Sequence, residues 1–306
     1  MRIATIDIGT NTVLLLVAER GARGALTAVT ERATITRLGE GVDRTRRLSQ
    51  AAVERTAACI EEYAGVIRDA GVQRLSVVGT SAMRDAGGGE LLRDRVRAAL
   101  GVEARVLSGE EEARLTFRGA LSGLGLEEKG DLAVFDIGGG STEVVIGRRG
   151  EPPALQFARS FDVGSVRLTE RYPAHDPPLP VERETIGRSA REAFANVPLA
   201  PADQAPIGIA GTMTTLAAVS LSLAPYDGVR VHGHVMLRAE LASVVDRLAN
   251  LGLSARRNVA GMEPKRADVI VAGGLIALAL LDHWGASSVR VSDRGVRWGL
   301  AEELAS

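Results

Sequence analysis

The sequence contains very little lysine and almost no cysteine. Cys59 is the one cysteine among 306 residues, and lysine occurs only as Lys129 and Lys265. A single cysteine excludes an intrachain disulfide and a metal site built from cysteine thiolates. Nearly all of the positive charge is therefore arginine, whose planar guanidinium binds phosphate oxygens through two parallel N–H groups.

The sequence also lacks an excess of charge, a long apolar run and a recognisable signal peptide. Its 37 basic and 38 acidic residues nearly cancel, which argues against binding a nucleic-acid polymer through bulk charge. The longest apolar run, Val269 to Leu281, is too short to span a bilayer and predicts a buried helix. The first residues lead directly into a predicted strand. We therefore expect a cytoplasmic protein with no membrane partner.

The stretch Val134 to Ile146 predicts two strands joined by a glycine turn. Glycine allows backbone N–H groups to approach a ligand closely, and consecutive N–H groups form a concavity suited to phosphate. Asp136 and Glu143 flank the turn, and two carboxylates beside a phosphate usually need a divalent cation between them. The stretch is a candidate phosphate and metal site.

The same pattern occurs once before, in Ala4 to Val17. One such turn alone would be read as a simple tight hairpin, but two copies with hydroxyl residues favour phosphate binding. They also predict two similar halves that face each other across a cleft. The alignment pairs Asp7 with Asp136, Ile8 with Ile137, Gly9 with Gly138 and Thr12 with Ser141.

Chain length and the alternation of strands and helices predict an α/β protein of two domains. The segment 123–130 is rich in glycine and charge, and it is the expected boundary and hinge. The predicted domains are 1–124 and 125–306, and the final helix, 294–306, is a candidate to pack back on the first domain.

Three further positions carry residues suited to anions. Arg84 follows a predicted strand, and the carboxyl ends of strands usually bind ligands in α/β proteins. Gly211 and Thr212 form a turn that enters a helix, a typical contact for phosphate. Arg266 and Lys265 lie in the first turn of a helix predicted to begin near Pro264. Cations there oppose the helix dipole, so we expect either a ligand anion or a solvated face.

Ser108 to Ala113 opens a predicted helix with three consecutive glutamates. Glu111 has the spacing of a capping box with Ser108, and Glu110 can offset the helix dipole. Neither role requires Glu112. The local pattern alone describes Glu112 as a solvated first-turn acid, or as an acid that points into a cleft.

His232 and His234 would lie on one side of a strand, where two imidazoles could bind a metal. No third ligand is near them in the sequence. The pair is therefore expected to order a loop or to face solvent.

Taken together, six segments resemble the exopolyphosphatase/guanosine pentaphosphate phosphohydrolase (Ppx/GppA) family, in the family's order and over essentially the whole chain. The resemblance implies an actin-like (ASKHA) fold of two ribonuclease-H-like domains that face an interdomain cleft, with hydrolysis of a terminal phosphoanhydride there. The chain resembles the family's short form, which has no helical, HD-like domain. This form argues against processive hydrolysis of very long polyphosphate chains. Trp298 stands where many members carry an acidic residue. The segments are Asp7–Thr12, Gly79–Ala86, Ser108–Ala113, Asp136–Glu143, Ala210–Thr212 and Ser292–Gly299.

The resemblance also implies roles for individual residues. Glu112 matches the catalytic glutamate, Arg84 matches the arginine that contacts substrate phosphate, and Glu143 joins them as a water-positioning carboxylate. Mg²⁺ is the implied cofactor, held by Asp136 and Glu143, with Asp7 acting through water. The implied phosphate-binding residues are Thr10, Asn11, Gly138, Gly139, Gly140, Ser141, Thr142, Gly211, Thr212 and Arg266.

We therefore expect release of terminal orthophosphate from inorganic polyphosphate by in-line attack of water. Guanosine pentaphosphate is the alternative substrate, and no motif separates the two. An actin-like kinase or ATPase would leave Arg84 and Glu112 unexplained. A non-catalytic sensor of polyphosphate or alarmones would tolerate the loss of Glu112. A homodimer is a further expectation.

Overall fold

The computed structural model describes residues 1–21, 25–125, 130–150, 153–172 and 174–305. Part of the predicted hinge, including Lys129, lies outside them. The strands are β1 (Arg2–Ile8), β2 (Thr12–Arg20), β3 (Leu26–Ile35), β4 (Arg74–Gly79), β5 (Ala104–Val106), β6 (Leu132–Ile137), β7 (Thr142–Arg148), β8 (Ala154–Phe161), β9 (Ile207–Ile209), β10 (Val235–Leu237) and β11 (Ser288–Val291). The helices are α1 (Val42–Thr45), α2 (Gln50–Asp69), α3 (Ser81–Asp85), α4 (Glu90–Leu100), α5 (Gly109–Leu121), α6 (Ser165–Arg171), α7 (Pro180–Phe194), α8 (Ala210–Ser220), α9 (Gly228–Val231), α10 (Arg238–Ala249), α11 (Leu253–Arg257), α12 (Ile270–Trp284) and α13 (Val296–Ala305), with a 3₁₀ turn at Pro264–Arg266.

The chain forms two compact units. The first comprises Met1–Gly119 together with Val296–Ser306, and the second comprises Ala120–Gly295. The C-terminal helix α13 thus belongs to the first unit, where it packs on β1 and β2. The domain limits 1–124 and 125–306 stay a prediction.

The first unit is built on a five-stranded sheet in the order β3-β2-β1-β4-β5. Alternate residues of β1 serve opposite faces, as the two-residue period of a strand requires. Ile6 and Ile8 pack in a cluster with residues of α2 and α4, whereas Ile3 packs with Trp298 of α13 on the other face. Helices therefore cover both faces, and β1 and its neighbours are buried.

The second unit is built on a six-stranded sheet in the order β10-β11-β9-β6-β7-β8. Its core includes Phe135 of β6 and most of α12. The apolar run Val269 to Leu281 lies largely within α12, which is buried on nearly all sides, so the predicted buried helix is confirmed. Within the described residues, no helix combines the length and the apolar character that crossing a membrane would need.

The two sheets repeat one topology. In each, an antiparallel hairpin (β1–β2 or β6–β7) is extended by a third antiparallel strand, and two parallel strands are added on the other side. The second sheet has one additional edge strand, β10, which pairs antiparallel with β11. The register shifts between Val17 and Ala18 in the first unit and between Ile146 and Gly147 in the second. Aligning Asp7 with Asp136 superimposes these two shifts. The repeat predicted from two short motifs therefore extends through the strands.

Candidate functional site

The turns that follow β1 and β6 have the same backbone geometry. The Gly9 amide donates to the Thr12 carbonyl at 3.0 Å, and the Gly138 amide donates to the Ser141 carbonyl at 3.0 Å. Both bonds close a short turn directly after the strand that carries the aspartate. The predicted equivalence of the two hairpins is thus confirmed at the turn itself.

In the second unit, the glycine turn is held from behind by the start of α6. The Gly138 carbonyl accepts from the Ser165 amide at 3.0 Å, and the Gly139 carbonyl accepts from the Arg167 amide at 3.0 Å. The Arg167 Nε atom donates to the Gly140 carbonyl at 2.5 Å. Three successive carbonyls of the turn are therefore engaged by α6, and none of these bonds uses the N–H group of Gly139 or Gly140.

Gly164 makes this contact possible. A Cβ atom at Gly164 would lie 2.3 Å from the Gly139 carbonyl oxygen, far inside contact distance. Gly164 and Arg167 were not among the predicted site residues. The sequence does show a glycine directly before a short helical segment that carries an arginine. Its meaning becomes clear only from the contact with the distant glycine turn.

Asp136 and Glu143 are direct cross-strand partners in the β6–β7 ladder. Glu143 is only 2% exposed, and its Oε1 atom accepts from the Ser160 hydroxyl at 2.6 Å. Two carboxylates directly opposite each other are destabilising unless a cation or proton is shared. Within the described residues, no group of three acidic, histidine or cysteine side chains could hold a metal ion. The pair itself supplies two hard oxygen ligands, which suits Mg²⁺ because that ion usually keeps several waters.

Arg266 packs against Gly211 within the second unit, and the role of both residues as phosphate ligands stays a prediction. A Cβ atom at Gly211 would lie 2.1 Å from the Arg266 Cζ atom, so the guanidinium rests against the glycine backbone. Burial lowers the pKa of Arg266, while Glu263 and Tyr226 oppose that change. The prediction of a helix that begins near Pro264 is wrong about the length of that helix. The segment forms only the 3₁₀ turn Pro264–Arg266, and α12 starts separately at Ile270.

Thr212 is also used internally. Its hydroxyl donates to the Ile137 carbonyl at 3.1 Å and is buried, so it ties the start of α8 to the end of β6. This contact was not anticipated from the sequence. The phosphate-binding role of Thr212 stays a prediction.

In the first unit, the Thr10–Asn11 turn is buried and braced. The Asn11 carbonyl accepts from the amides of Thr36 and Arg37, at 3.1 and 3.0 Å, and the Thr10 carbonyl accepts from the Gly39 amide at 2.8 Å. Asn11 is 6% exposed, and its Nδ2 atom has no hydrogen-bond partner among the residues that the structure describes. An unsatisfied buried amide donor is costly, and a bound anion would satisfy it.

Arg84 and the buried Glu112 form a partly buried ion pair in the first unit. Arg84 Nη1 lies 2.7 Å from Glu112 Oε2 and 3.2 Å from the Leu107 carbonyl. Arg84 Nε also lies 3.3 Å from Asp85 Oδ1. The Thr80 amide, at the start of α3, bonds to the Ile8 carbonyl at 3.2 Å. The element that carries Arg84 therefore begins beside the end of β1, where Asp7 lies.

The three consecutive glutamates of α5 occupy three different environments. Glu111 completes the predicted capping box, since its carboxylate accepts from the Ser108 amide at 2.9 Å and its amide bonds to the Ser108 hydroxyl at 3.2 Å. These bonds lower the pKa of Glu111. Glu110 is exposed, whereas Glu112 is 6% exposed. The interpretation of Glu112 as a solvated acid, which follows from the local pattern alone, is therefore wrong.

His232 and His234 do not lie on a strand. His232 caps the end of α9, and its Nδ1 atom lies 2.9 Å from Asp293 Oδ1. Neither histidine belongs to a metal-binding cluster in the described ranges. The loop before β10 is held by backbone bonds, because the Gly233 amide donates to the Val291 carbonyl at 2.8 Å and the His234 carbonyl accepts from the Val291 amide at 2.7 Å.

Trp298 is a core residue of the first unit. It is 1% exposed, and its Nε1 atom donates to Glu31 at 2.8 Å. Its position in a helix that covers the sheet explains why an apolar residue is accommodated there.

Comparison with known proteins identifies the family of this chain. The chain belongs to the Ppx/GppA phosphatase family, whose profile matches residues 16–305. Exopolyphosphatase 2 of Mycobacterium tuberculosis is 39% identical, over 99% of this chain and 98% of that protein. Exopolyphosphatase 1 of Mycobacterium bovis is 30% identical, over 98% of this chain and 87% of that protein.

A solved structure of the Aquifex aeolicus PPX-GPPA enzyme has a TM-score of 0.83 and 33% identity, and the match covers 99% of both chains. The predicted family, the α/β class and the actin-like fold are thereby confirmed. The roles of the individual site residues stay predictions.

Proposed function

We propose that the protein is a phosphoanhydride hydrolase that releases terminal orthophosphate from inorganic polyphosphate. The observation that carries this proposal is the Arg84–Glu112 pair, in which a buried carboxylate lies 2.7 Å from a guanidinium at the carboxyl end of a sheet. Family membership and the 39% identity to an exopolyphosphatase support the same reaction.

The reaction needs positioning and charge stabilisation more than covalent chemistry. In our proposal, the Glu112 carboxylate accepts a hydrogen bond from the attacking water and orients it toward phosphorus. Arg84 binds non-bridging oxygens of the transferred phosphoryl group, where negative charge develops. The Asn11 amide, the Thr10 hydroxyl and the amides of Gly139 and Gly140 supply further donors to phosphate.

Mg²⁺ belongs to the proposal as the cofactor. The cross-strand pair Asp136 and Glu143 would hold it within the second unit. The bound ion would neutralise phosphate charge. The Ser160 hydroxyl fixes the Glu143 carboxylate, so the acid is already oriented within its own sheet. Gly211 and Arg266 would bind another phosphate of the chain.

Phosphate release from tripolyphosphate, long-chain polyphosphate and guanosine pentaphosphate, each with Mg²⁺ or with chelator, tests the proposal. Metal-dependent release from polyphosphate is expected. Release only from the nucleotide would make the protein a guanosine pentaphosphate phosphohydrolase. Tight polyphosphate binding with no release from any substrate would contradict the enzyme and leave a sensor.

A cytoplasmic location and a homodimer complete the proposal. Cell fractionation tests the location, and sedimentation of the purified chain tests its assembly.

A further inference from the structure

The segment from Thr36 to Leu48 connects the two parts of the first unit's candidate site. At one end, the amides of Thr36 and Gly39 bond to the Asn11 and Thr10 carbonyls, at 3.1 and 2.8 Å. At the other end, the Gly87 amide bonds to the Arg46 carbonyl at 3.0 Å, and the Leu48 amide bonds to the Gly87 carbonyl at 2.9 Å. The segment is thus fastened both to the Thr10–Asn11 turn and to the loop that follows Arg84.

The fastened segment has an unusual backbone. Arg37 and Arg46 have φ angles of 53° and 55°, in the left-handed region that non-glycine residues rarely adopt. Gly39 packs so tightly that a Cβ atom there would lie 2.3 Å from the Thr10 Cγ2 atom. Such conformations persist only where surrounding contacts impose them, and they concentrate at functional sites.

The segment exposes three arginines within four residues. Arg44, Arg46 and Arg47 are all exposed, and no carboxylate among the described residues pairs with any of them. The nearby Glu40 is paired with Arg55 at 3.0 Å, and Asp43 is half-buried with contacts of its own. The usual interpretation of such residues is a solvated surface. Here they lie on a braced loop that borders the predicted phosphate ligands.

We propose that Arg44, Arg46 and Arg47 form a secondary subsite for the internal phosphates of inorganic polyphosphate. The proposal rests on the function proposed above and extends it to chain length. A substrate whose terminal phosphate is bound at Thr10, Asn11 and Arg84 continues as a regular polyanion, and guanidinium groups are suited to bind its successive phosphates. A substrate of only a few phosphates would not reach these arginines.

The test compares R44Q/R46Q/R47Q with the control R20Q/R68Q/R74Q. The control removes three exposed arginines of the same unit. Arg20 and Arg74 adjoin the amino end of β1, opposite Thr10, because the Arg20 amide bonds to the Met1 carbonyl and Arg74 pairs with Ile3. Arg68 lies in the last turn of α2, and Arg2 bonds to the neighbouring Ala70 carbonyl.

The measured quantities are kcat/KM and direct binding for long-chain polyphosphate and for tripolyphosphate, over a range of salt concentrations. We expect R44Q/R46Q/R47Q to lower long-chain kcat/KM by roughly tenfold or more and to leave tripolyphosphate nearly unchanged. We also expect its log–log salt slope to decrease by about 0.7 for each phosphate that the protein no longer neutralises. The control should match wild type, and R44K/R46K/R47K, which keeps the charge, should recover most of the long-chain binding.

Equal losses for both substrates, or equal losses in the control, would overturn the subsite. An unchanged salt slope would also overturn it. If the wild-type protein hydrolyses neither substrate, the proposed function is wrong. The binding measurements then still test whether the subsite exists. Selective loss of long-chain binding in R44Q/R46Q/R47Q would support the subsite, and unchanged binding would reject it. Melting temperatures of all variants identify any that lose the fold.

Discussion

The hairpins β1–β2 and β6–β7 share a turn geometry but differ in what surrounds it. Opposite Asp136 stands a second carboxylate, Glu143, whereas opposite Asp7 stands Leu14. The turn of the second hairpin is held by Arg167, which donates to Gly140. The first is braced by the segment after β3, which bonds to Thr10 and Asn11. One shared turn geometry thus supports two different donor sets.

This comparison indicates that the two units have different roles in the proposed reaction. The second unit presents paired carboxylates beside a glycine turn, a combination suited to a cation and a phosphate together. The first unit has one aspartate at its turn, and its further chemistry comes from Arg84 and Glu112 on the next elements. If these tasks are separate, substitutions in the two units should have different effects.

The largest expected effect is that of Glu112→Gln. The substitution keeps the shape of the side chain but removes the carboxylate that we assign to the attacking water, and general-base positions typically contribute about 10²–10⁴-fold in rate. Phosphate release at saturating polyphosphate measures the loss. Glu110→Gln, two positions earlier on the exposed face, should retain wild-type turnover. Near-normal turnover by a folded Glu112→Gln variant would remove Glu112 from the mechanism.

A second prediction separates the two aspartates. Mg²⁺ should raise the melting temperature of the wild-type protein, because a ligand that binds only the folded state stabilises it. Asp136→Asn should abolish most of that increase, since it removes one of two paired ligands. Asp7→Asn should retain most of it, because Asp7 faces Leu14. Equal Mg²⁺ responses in the two variants would mean that the hairpins do not differ in this way.

A third prediction concerns the support behind the glycine turn. Gly164→Ala places a methyl group 2.3 Å from the Gly139 carbonyl oxygen, and overpacking of this kind typically costs about 1–3 kcal/mol. We expect lower stability in urea and weaker inhibition by orthophosphate. Gly65→Ala is the control, because nothing lies within 4 Å of a Cβ atom there, and a helical glycine replaced by alanine gains up to ~1 kcal/mol. Unchanged phosphate inhibition in Gly164→Ala would separate this packing from the site.

The smallest expected effect is that of Glu111→Gln on stability. A helix cap contributes about 0.3–1.5 kcal/mol, and its bonds to Ser108 lower the pKa of Glu111. A lowered pKa in the folded state means that the carboxylate stabilises the protein above its unfolded-state pKa. That contribution is lost as pH falls through the folded-state pKa. Urea unfolding of wild type and Glu111→Gln should therefore differ at neutral pH and converge in acid. A difference that persists in acid would exclude the carboxylate as its cause.

Local patterns were sufficient for much of the fold. The glycine turns and the capping box of α5 each depend on a few neighbouring residues, and each is present in the structure. The repeat was visible because a tight turn with close backbone contacts restricts residue types strongly. The extent of the 3₁₀ turn at Pro264 was not predictable, since one proline allows either a helix start or a single turn.

Contacts between distant segments explain the misses in the site. The burial of Glu112 depends on Arg84, which lies on another element, so the first-turn position of Glu112 gave no indication of it. Arg167 was not recognised because its carbonyl partner lies in a different part of the chain. The Trp298 environment depends on Glu31 of β3 in the same way. Family resemblance predicted Glu112 as the catalytic residue but did not predict the contacts that hold it.

A magnesium titration of polyphosphate hydrolysis by wild type, Glu112→Gln and Asp136→Asn tests the division of labour most directly. We predict that Glu112→Gln lowers the maximal rate and leaves the half-saturating Mg²⁺ concentration unchanged. Asp136→Asn should instead raise the half-saturating concentration and recover part of its rate at high Mg²⁺. A shifted Mg²⁺ requirement in Glu112→Gln, or an unshifted one in Asp136→Asn, would contradict the account.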